Sequence, residues 1–385
     1  MRRTVYTDEH DHFRESVATF IAREIAPRRE QIRKQRQLGR DIWIRAGEQG
    51  LLGISVPEAY GGAGVEDYRF NAVLQEELAC AGMAYASAFQ VHADVVAEYL
   101  VELTTEEQRE RWLPEFCSGR IVTAIGMSEP GAGSDLAALR TTARRNGDGF
   151  VLSGSKTFIT NGTSADLVLV CARTTAGTGS HGITLFAVEE GMPGFSRGRK
   201  LDKVGQHEAD TAELFFEDVP IPRENVIGEI DAGFRLMMER LPTERLGSAV
   251  GNTAHAAHVL RLTLDYAKER QAFGRPIGSF QANRFTLAEL ATALDVTQAY
   301  VDHCLSEHVA GRLTDVDAAK AKWWSAEIQN RVADVGVQLF GGYGYMLEYD
   351  VARAWTDARV TKIWAGSNEI MKEIVGRSLG LGDPR

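Results

Sequence analysis

The sequence contains few cysteines and no long apolar run. Four of its 385 residues are cysteines, and no two of them have the C-x-x-C spacing. A chain this long with so few cysteines does not depend on disulfides, so we expect free thiols in a reducing compartment. No apolar stretch approaches the roughly 18 residues of a membrane span, and the N-terminal residues lack the apolar segment of a signal peptide. We therefore expect a cytoplasmic protein without a membrane span.

The sequence also lacks an excess of positive charge. Its 43 lysines and arginines are outnumbered by 53 aspartates and glutamates, which gives a net charge of −10. Nucleic-acid binding needs a concentrated basic surface, so we expect no nucleic-acid partner. This balance does not exclude a local basic pocket for a phosphorylated ligand. His255 and His258 could share one face of a helix, but no third ligand is evident, so we predict no metal site.

The hydrophobic pattern changes twice along the chain, which predicts an α+β fold of several domains. Residues 1–120 have apolar stripes at helical spacing and predict an N-terminal α-helical domain. Residues 121–230 contain β-rich runs, with a hairpin turn at 146–149, and predict a middle β domain. Residues 231–385 return to long helical stripes and predict an antiparallel helical bundle.

Two neighbouring segments combine glycines, hydroxyls and a few apolar groups. They are TAIGMSEPGAGSD at 123–135 and GSKTFITNG at 154–162. Glycines let the main chain approach a flat polar ring system such as a flavin, and hydroxyls and free N–H groups can bind ring heteroatoms or a pyrophosphate. A surface loop can have the same composition, so neither segment decides the function alone. GTGSHG at 177–182 matches a dinucleotide fingerprint, but a strand follows it where a helix is required, and we predict a hairpin loop.

Six segments resemble, in the same order, the acyl-CoA dehydrogenase family. They are MSEPGAGSD (127–135), GSKTFITNG (154–162), FFEDVPIP (215–222), ERQAFGRPIGSFQ (269–281), QLFGGYGY (338–345) and WAGSNEIMKEIVGRS (364–378). The resemblance runs nearly from end to end. It implies an α-helical domain, a β-barrel-like domain and a four-helix bundle, which agrees with the division above. It also implies FAD as the cofactor and an acyl-CoA thioester as the substrate.

The resemblance assigns residues of the first two segments to the flavin. It implies that Ile125, Met127 and Ser128 lie along the ring, and that Ser134 lies near the CoA or the pyrophosphate. Phe158 would stack on the isoalloxazine, and Thr160 would donate a hydrogen bond to flavin N5. An ordinary inward-facing strand residue is the structural alternative for Phe158.

Further cofactor contacts are implied across a subunit interface. The residues assigned to the FAD of a neighbouring subunit are Arg270, Phe273, Gln281, Gln338, Gly341 and Gly342. An arginine suits a pyrophosphate because its fork matches phosphate oxygens, although Arg270 could instead be a cation at a helix end. Ser367, Asn368 and Glu369 would complete the FAD site. A shared cofactor implies a homo-oligomer, and the family usually forms tetramers.

The resemblance places the catalytic base at Glu244. Many members carry the base in a YEGT segment, but the matching residues here are 364–367, and Ala365 carries no acid. The long-chain and isovaleryl types carry it on an earlier helix, where LPTERL (241–246) supplies Glu244. Arg245 would position substrate and base, and Ala365 and Gly366 would contact the substrate together with Ser134. The backbone N–H of Ala365 would bind the thioester oxygen.

Other roles for this acidic stretch stay open. Glu244 could form an exposed ion pair with Arg240 one turn earlier, worth about 0.3–0.5 kcal/mol. Glu239 and Glu369 are rival acids, but neither occupies a position that the family uses for its base. Pro242 should bend or restart the helix, since it cannot donate a backbone hydrogen bond.

The implied reaction is α,β-dehydrogenation of an acyl-CoA to a trans-2-enoyl-CoA. Glu244 would take the α-proton while hydride passes to flavin N5, and an electron-transfer flavoprotein would accept the electrons. A flavin oxidase or monooxygenase on the same fold is one alternative, and a non-catalytic binding protein on this scaffold is another. The length and branching of the acyl chain are not determined by the sequence.

Overall fold

The computed structural model describes residues 3–177 and 179–382, and it begins with a helical region. Its α-helices are α1 (Asp8–Phe20), α2 (Arg29–Gln35), α3 (Arg40–Glu48), α4 (Arg69–Ala81), α5 (Met83–Phe89), α6 (Ala97–Leu103) and α7 (Glu106–Cys117). A π-helical segment, Gln90–Val96, joins α5 to α6. At the start of α7, the Thr105 hydroxyl accepts from the Gln108 N–H, and the Gln108 side chain accepts from the Thr105 N–H. This capping box satisfies N–H groups that a helix start leaves unpaired.

The middle region is one sheet. Its strands are β1 (Thr123–Gly126), β2 (Thr142–Asn146), β3 (Gly149–Thr160), β4 (Leu167–Arg173), β5 (Ile183–Glu189), β6 (Phe195–Lys200), β7 (Thr211–Ile221) and β8 (Val226–Ile227). They follow the order β6-β7-β3-β2-β4-β5-β8, and β1 pairs with β4. No pairing among the described strands joins β6 to β8, so the β-barrel-like expectation becomes an open sheet.

Both predicted hairpins are confirmed. Strands β2 and β3 are antiparallel, with Asn146 opposite Gly149 across the turn. Strands β4 and β5 are also antiparallel and are joined through the segment that matches the dinucleotide fingerprint. Thr178, within that segment, lies outside the described residues. Because a strand and not a helix follows the segment, the fingerprint lacks the helix N-terminus that binds a pyrophosphate.

The last region is helical, as predicted. It contains α8 (Gly233–Glu269), α9 (Gln281–Val309), α10 (Asp315–Phe340), α11 (Asp350–Ala358) and α12 (Asn368–Ser378), with the short hairpin β9 (Gln271–Ala272) and β10 (Arg275–Pro276) after α8. Helix α10 packs against α8, α9 and α12, which gives the four-helix arrangement. The predicted stripes are buried in part: Leu290 on α9 and Val332 on α10 are at most 1% exposed, whereas Trp324 of the α10 stripe is 38% exposed.

The three regions share buried cores. One apolar cluster joins Phe116 of α7, Leu169 of β4, Leu185 of β5 and Met237 of α8. Helix α8 also packs against α4, so it lies between the first and last regions. None of the described helices is both long and apolar enough to cross a membrane. All four cysteines are unpaired, as predicted. The domain boundaries at residues 120 and 230 remain a proposal, which the change of secondary structure near both positions supports.

Candidate active site

Glu244 lies on α8, which runs without interruption through Pro242. Pro242 was predicted to bend or restart the helix, and the restart is therefore wrong. A proline removes one helical hydrogen bond, but the packing of α8 against α4 and α10 supports the helix on both sides of it. Tertiary packing here outweighs the local cost.

The carboxyl group of Glu244 faces the π-helical segment and α6. The Tyr99 hydroxyl lies 3.4 Å from Glu244 Oε1, which is long for an O–H···O hydrogen bond. Gln90 Nε2 donates to the Glu244 backbone carbonyl at 3.1 Å. Arg240 pairs with Glu102 at 2.5 Å and not with Glu244. The alternative of an exposed Glu244–Arg240 ion pair is therefore wrong.

Burial is the main influence on the acidity of Glu244. Burial and the negative charge of Asp94 raise its pKa to about 7, because both disfavour the carboxylate. Arg245 next to it opposes this shift. Desolvation also raises the pKa of Asp94 to about 7, and desolvation together with Glu102 raises the pKa of Glu98 to about 9. Glu244 as a residue is partly exposed, and a pKa of about 7 leaves its carboxyl group divided between the two charge states near neutral pH.

Arg245 is buried and reaches α10. It forms an ion pair with Asp315 at the start of α10, and burial lowers the pKa of its guanidinium. Arg245 therefore connects α8 to α10 directly beside the acid. The rival acid Glu239 is exposed and pairs with Arg235 at 2.8 Å.

The loop before α12 presents free backbone N–H groups. Ala365 and Gly366 have φ angles of 50° and 84°, a left-handed conformation that is uncommon for alanine. Their N–H groups have no hydrogen-bond acceptor among the described residues. The Gly366 carbonyl accepts from Lys322 Nζ at 2.6 Å. Ser367 caps α12 by accepting from the Ile370 N–H at 3.4 Å.

The two Gly- and hydroxyl-rich segments lie against each other. The Thr157 N–H donates to the Ser128 carbonyl at 3.0 Å. Lys156, which is 0% exposed, donates to the Met127 carbonyl at 3.1 Å and forms an ion pair with Glu129 at 2.8 Å. This buried pair is inside the segments that the sequence singled out, but the sequence did not assign it a role.

Several groups in these segments have no hydrogen-bond partner among residues 3–177 and 179–382. In the described part of the chain, the N–H groups of Met127 and Ser128 and the hydroxyl of Thr160 find no hydrogen-bond partner. Phe158 is 71% exposed and has a φ of 61°. The alternative of an inward-facing strand residue is therefore wrong for Phe158. Ile125 is partly buried in β1 and Ser134 is exposed, and the hydroxyl of Ser134 makes no contact within the described residues.

A second set of residues lies at the far end of α8. Arg270, Gly341 and Gly342 line one cavity of about 370 Å³ with Tyr266 and Tyr343. The Arg270 guanidinium has no ion pair among the described residues and lies 5.9 Å from the Tyr343 ring. Three further residues are exposed and lie close in sequence to residues that line this cavity: Phe273, Gln281 and Gln338.

The two sets are far apart within one chain. Glu269, the last residue of α8, is 25 positions after Glu244, which is about 37 Å along a helix axis. The structure therefore does not bring Arg270 to Glu244 within one chain.

Asn368, which was expected to help complete the FAD site, differs from the expectation in another way. Its side chain is buried, with Nδ2 donating to Glu327 Oε1 at 2.9 Å, and its backbone N–H has no acceptor among the described residues. Glu369 is exposed.

Comparison with known proteins identifies the family. Models of the acyl-CoA dehydrogenase N-terminal, middle and C-terminal domains match residues 7–120, 124–219 and 231–380. The mitochondrial long-chain specific acyl-CoA dehydrogenase of Mus musculus is 46% identical over 98% of this chain and 88% of that protein. The chain belongs to the acyl-CoA dehydrogenase family. It is therefore an enzyme of this class with FAD as its cofactor.

Solved structures of acyl-CoA dehydrogenases agree with this assignment. The crystal structure of the enzyme from Geobacillus kaustophilus has a TM-score of 0.96 and 43% identity, and covers 98% of this chain and 99% of that one. A structure from Bacillus anthracis, complexed with FAD, has a TM-score of 0.90 and 30% identity, and covers 98% of this chain and 70% of that one.

The residues present fit FAD. Unpartnered N–H groups at Met127 and Ser128 and the free Thr160 hydroxyl suit the heteroatoms of a flavin, and the exposed Phe158 ring suits its face. The unpaired Arg270 beside Gly341 and Gly342 suits a pyrophosphate.

Sequence reasoning missed the residues that hold this acyl-CoA dehydrogenase site together. They are ionisable residues whose side chains form hydrogen bonds within the site: Lys156, Glu129, Lys322 and Asp94. A charged residue among small and apolar neighbours, as in GSKTFITNG, is the one signal that could have indicated burial.

Proposed function

We propose that the protein dehydrogenates an acyl-CoA thioester to the trans-2-enoyl-CoA, with Glu244 as the base that removes the α-proton. The observation that carries this proposal is the position of the Glu244 carboxyl group beside Tyr99 and Asp94, where burial raises its pKa to about 7. A general base works best when its pKa lies near the working pH. A glutamate whose carboxyl group keeps its ordinary, lower pKa is a weaker base than Glu244.

The proton leaves a carbon that is only weakly acidic, so the thioester oxygen needs hydrogen-bond donors aimed at it. The N–H groups of Ala365 and Gly366 are free to serve as these donors. Alanine at 365 keeps the N–H while Glu244 supplies the carboxylate from α8. Arg245, held by Asp315, keeps α8 and α10 in register beside the base. Ser134, exposed and unpartnered, is positioned to contact the CoA part.

Residues of the middle region hold the cofactor in this proposal. FAD, when bound, accepts the hydride from the β-carbon. Met127 and Ser128 bind the ring through their N–H groups with Ile125 beside them, Phe158 covers one face, and Thr160 donates from its hydroxyl. Ser367, Glu369 and the Asn368 N–H complete the site. Together these residues orient the ring and exclude water from it.

The second set of residues supports a homo-oligomer. Because about 37 Å of α8 separates Glu244 from Arg270, we assign Arg270, Phe273, Gln281, Gln338, Gly341 and Gly342 to the cofactor of a neighbouring subunit. A tetramer is the proposed assembly, and an electron-transfer flavoprotein is the proposed electron acceptor. A cytoplasmic location is also proposed, although the Mus musculus relative is named mitochondrial. Similarity to that relative favours long-chain substrates.

An anaerobic titration of the purified flavoprotein tests the function. Straight and branched acyl-CoAs of increasing length are added while the flavin absorbance is recorded. We expect bleaching by long-chain acyl-CoAs, and slow return of the absorbance in air. Rapid return with formation of peroxide would identify an oxidase. If no acyl-CoA bleaches the flavin, the proposed function is wrong.

A further inference from the structure

Lys322 is a fully buried lysine on α10, with 0% of its surface exposed. Its Nζ donates to the Gly366 carbonyl at 2.6 Å and lies 3.5 Å from Asn368 Oδ1. Lysine is almost never fully buried without a strong reason, because its side chain gives up hydration and conformational freedom. Neither the helix pattern nor the proposed chemistry accounts for this burial.

The loop that Lys322 holds is strained. Ala365 has a φ of 50°, a left-handed conformation that is unfavourable for a non-glycine residue. Such a conformation persists only where the surroundings fix it. On one side, the Trp364 N–H donates to the Val360 carbonyl at 3.1 Å. On the other side, the hydrogen bond from Lys322 fixes the Gly366 carbonyl.

The same helix fixes the other part of the site. Asp315 at the start of α10 pairs with Arg245, which follows Glu244 in sequence. Arg245 is close enough to lower the pKa of Lys322, after the larger effect of burial, and Glu369 opposes this. Helix α10 therefore contacts both the segment with the base and the loop with the free N–H groups.

We propose that Lys322 is a positioning residue that keeps the N–H groups of Ala365 and Gly366 directed at the thioester oxygen of a bound acyl-CoA. Lys322 does not touch the substrate. It acts through the Gly366 carbonyl, and without it Ala365 relaxes from its left-handed conformation. This inference rests on the proposed function, since it needs a thioester in the site.

The test uses a thioester whose carbonyl is conjugated with an aromatic ring. Hydrogen bonds to such a carbonyl polarise the conjugated system and shift its absorption to longer wavelength, so the shift reports on the donors directly. For Lys322→Met we expect FAD to stay bound and the red shift of the bound thioester to shrink by at least half. The rate of flavin reduction should fall about 10- to 100-fold, as for other misplaced active-site groups.

Two variants serve as controls. Lys320→Met removes an exposed lysine of the same helix, which pairs with Asp317 at 3.1 Å, and should leave the red shift and rate unchanged. Lys322→Arg keeps hydrogen-bond donors at this position and should recover part of both. A merely structural role would lower stability without changing the red shift of the folded fraction.

The outcomes separate this inference from the proposed function. If wild-type protein is reduced by an acyl-CoA and Lys322→Met shows the wild-type red shift and rate, the role of Lys322 is wrong and the function stands. If no acyl-CoA reduces the wild-type flavin, the proposed function is wrong, and the role of Lys322 that depends on it is wrong as well. Should Lys322→Met not fold, Lys322→Gln replaces it, because its shorter side chain does not reach Gly366. A wild-type red shift in Lys322→Gln would then overturn the inference.

Discussion

Two buried lysines hold the two sides of the candidate site, one in the sheet and one in the helical bundle. Lys156 of β3 and Lys322 of α10 are both 0% exposed. Lys156 donates to the Met127 carbonyl at 3.1 Å on the proposed cofactor side. Lys322 donates to the Gly366 carbonyl at 2.6 Å on the proposed substrate side. In both places the lysine binds a backbone carbonyl of a loop whose nearby N–H groups have no acceptor among the described residues.

The two lysines differ in their partners. Lys156 forms an ion pair with Glu129, whose carboxylate also accepts from the N–H groups of Arg140 and Thr141 at 2.6 and 2.9 Å. Lys322 has no carboxylate within ion-pair distance among the described residues. Burial and nearby Arg245 lower the pKa of Lys322 to about 7. The lysine on the cofactor side is thus paired with a buried carboxylate, whereas the lysine on the substrate side is a weakly basic amine without one.

The largest expected effect comes from breaking the ion pair. Lys156→Met leaves Glu129 buried without its cation and should lower the free energy of unfolding by about 3–5 kcal/mol. Lys322→Met leaves no buried carboxylate and should cost less. Urea unfolding of the FAD-loaded proteins measures both. The double variant Lys156→Met/Glu129→Gln should recover part of the loss, and equal losses in the two single variants would contradict the comparison.

The second prediction concerns pH and the substrate side. Because the Glu244 base is active as the carboxylate and its pKa is about 7, kcat/KM should fall about tenfold for each pH unit below 7. Asp94 has a similar pKa of about 7, so the observed value belongs to the pair. Stopped-flow reduction at limiting acyl-CoA from pH 5 to 9 measures the profile. A rate independent of pH below 7 would contradict the role of Glu244.

The smallest expected effect is on the pH dependence of stability that Glu244 causes. The folded-state pKa of Glu244, about 7, lies above its ordinary value of 4.5, so folding favours the protonated form. Its contribution to stability is fully present below pH 4.5 and is lost as the pH rises to about 7. A pKa raised from 4.5 to about 7 corresponds to about 3 kcal/mol, and solvent around this partly exposed residue reduces the effect. Glu244→Gln, which cannot ionise, should therefore be more stable than wild type at pH 8 by about 1–2 kcal/mol. The two should differ less at pH 4, and thermal unfolding at both pH values measures this.

The secondary structure was predictable where hydrophobic residues repeat at a single spacing, either that of a helix or that of a strand. Helical stripes such as Leu290 on α9 and Val332 on α10 are buried as expected, and the turn at 146–149 joins an antiparallel pair. These features depend on neighbours in sequence. The resemblance to the family then indicated Glu244, whose altered acidity the fold explains through burial beside Asp94.

The features that depend on distant neighbours were not predictable. Lys322 contacts a carbonyl 44 residues later, and nothing next to it in sequence distinguishes it from an exposed lysine on a helix. The positive φ angles of Phe158 and Ala365 have no sequence signal, because glycine is the residue that usually marks them. Pro242 was expected to bend or restart α8, and the packing around the helix keeps it continuous.

The central claim is that the Glu244 carboxylate removes the α-proton, and Glu244→Gln tests it most directly. Flavin reduction is followed anaerobically with an acyl-CoA that reduces the wild type, and Glu239→Gln, an exposed acid of the same helix, is the matched control. We expect Glu244→Gln to keep its FAD absorbance and to be reduced about 10²–10⁴ times more slowly, with Glu239→Gln unchanged. Reduction of Glu244→Gln at the wild-type rate would contradict the account.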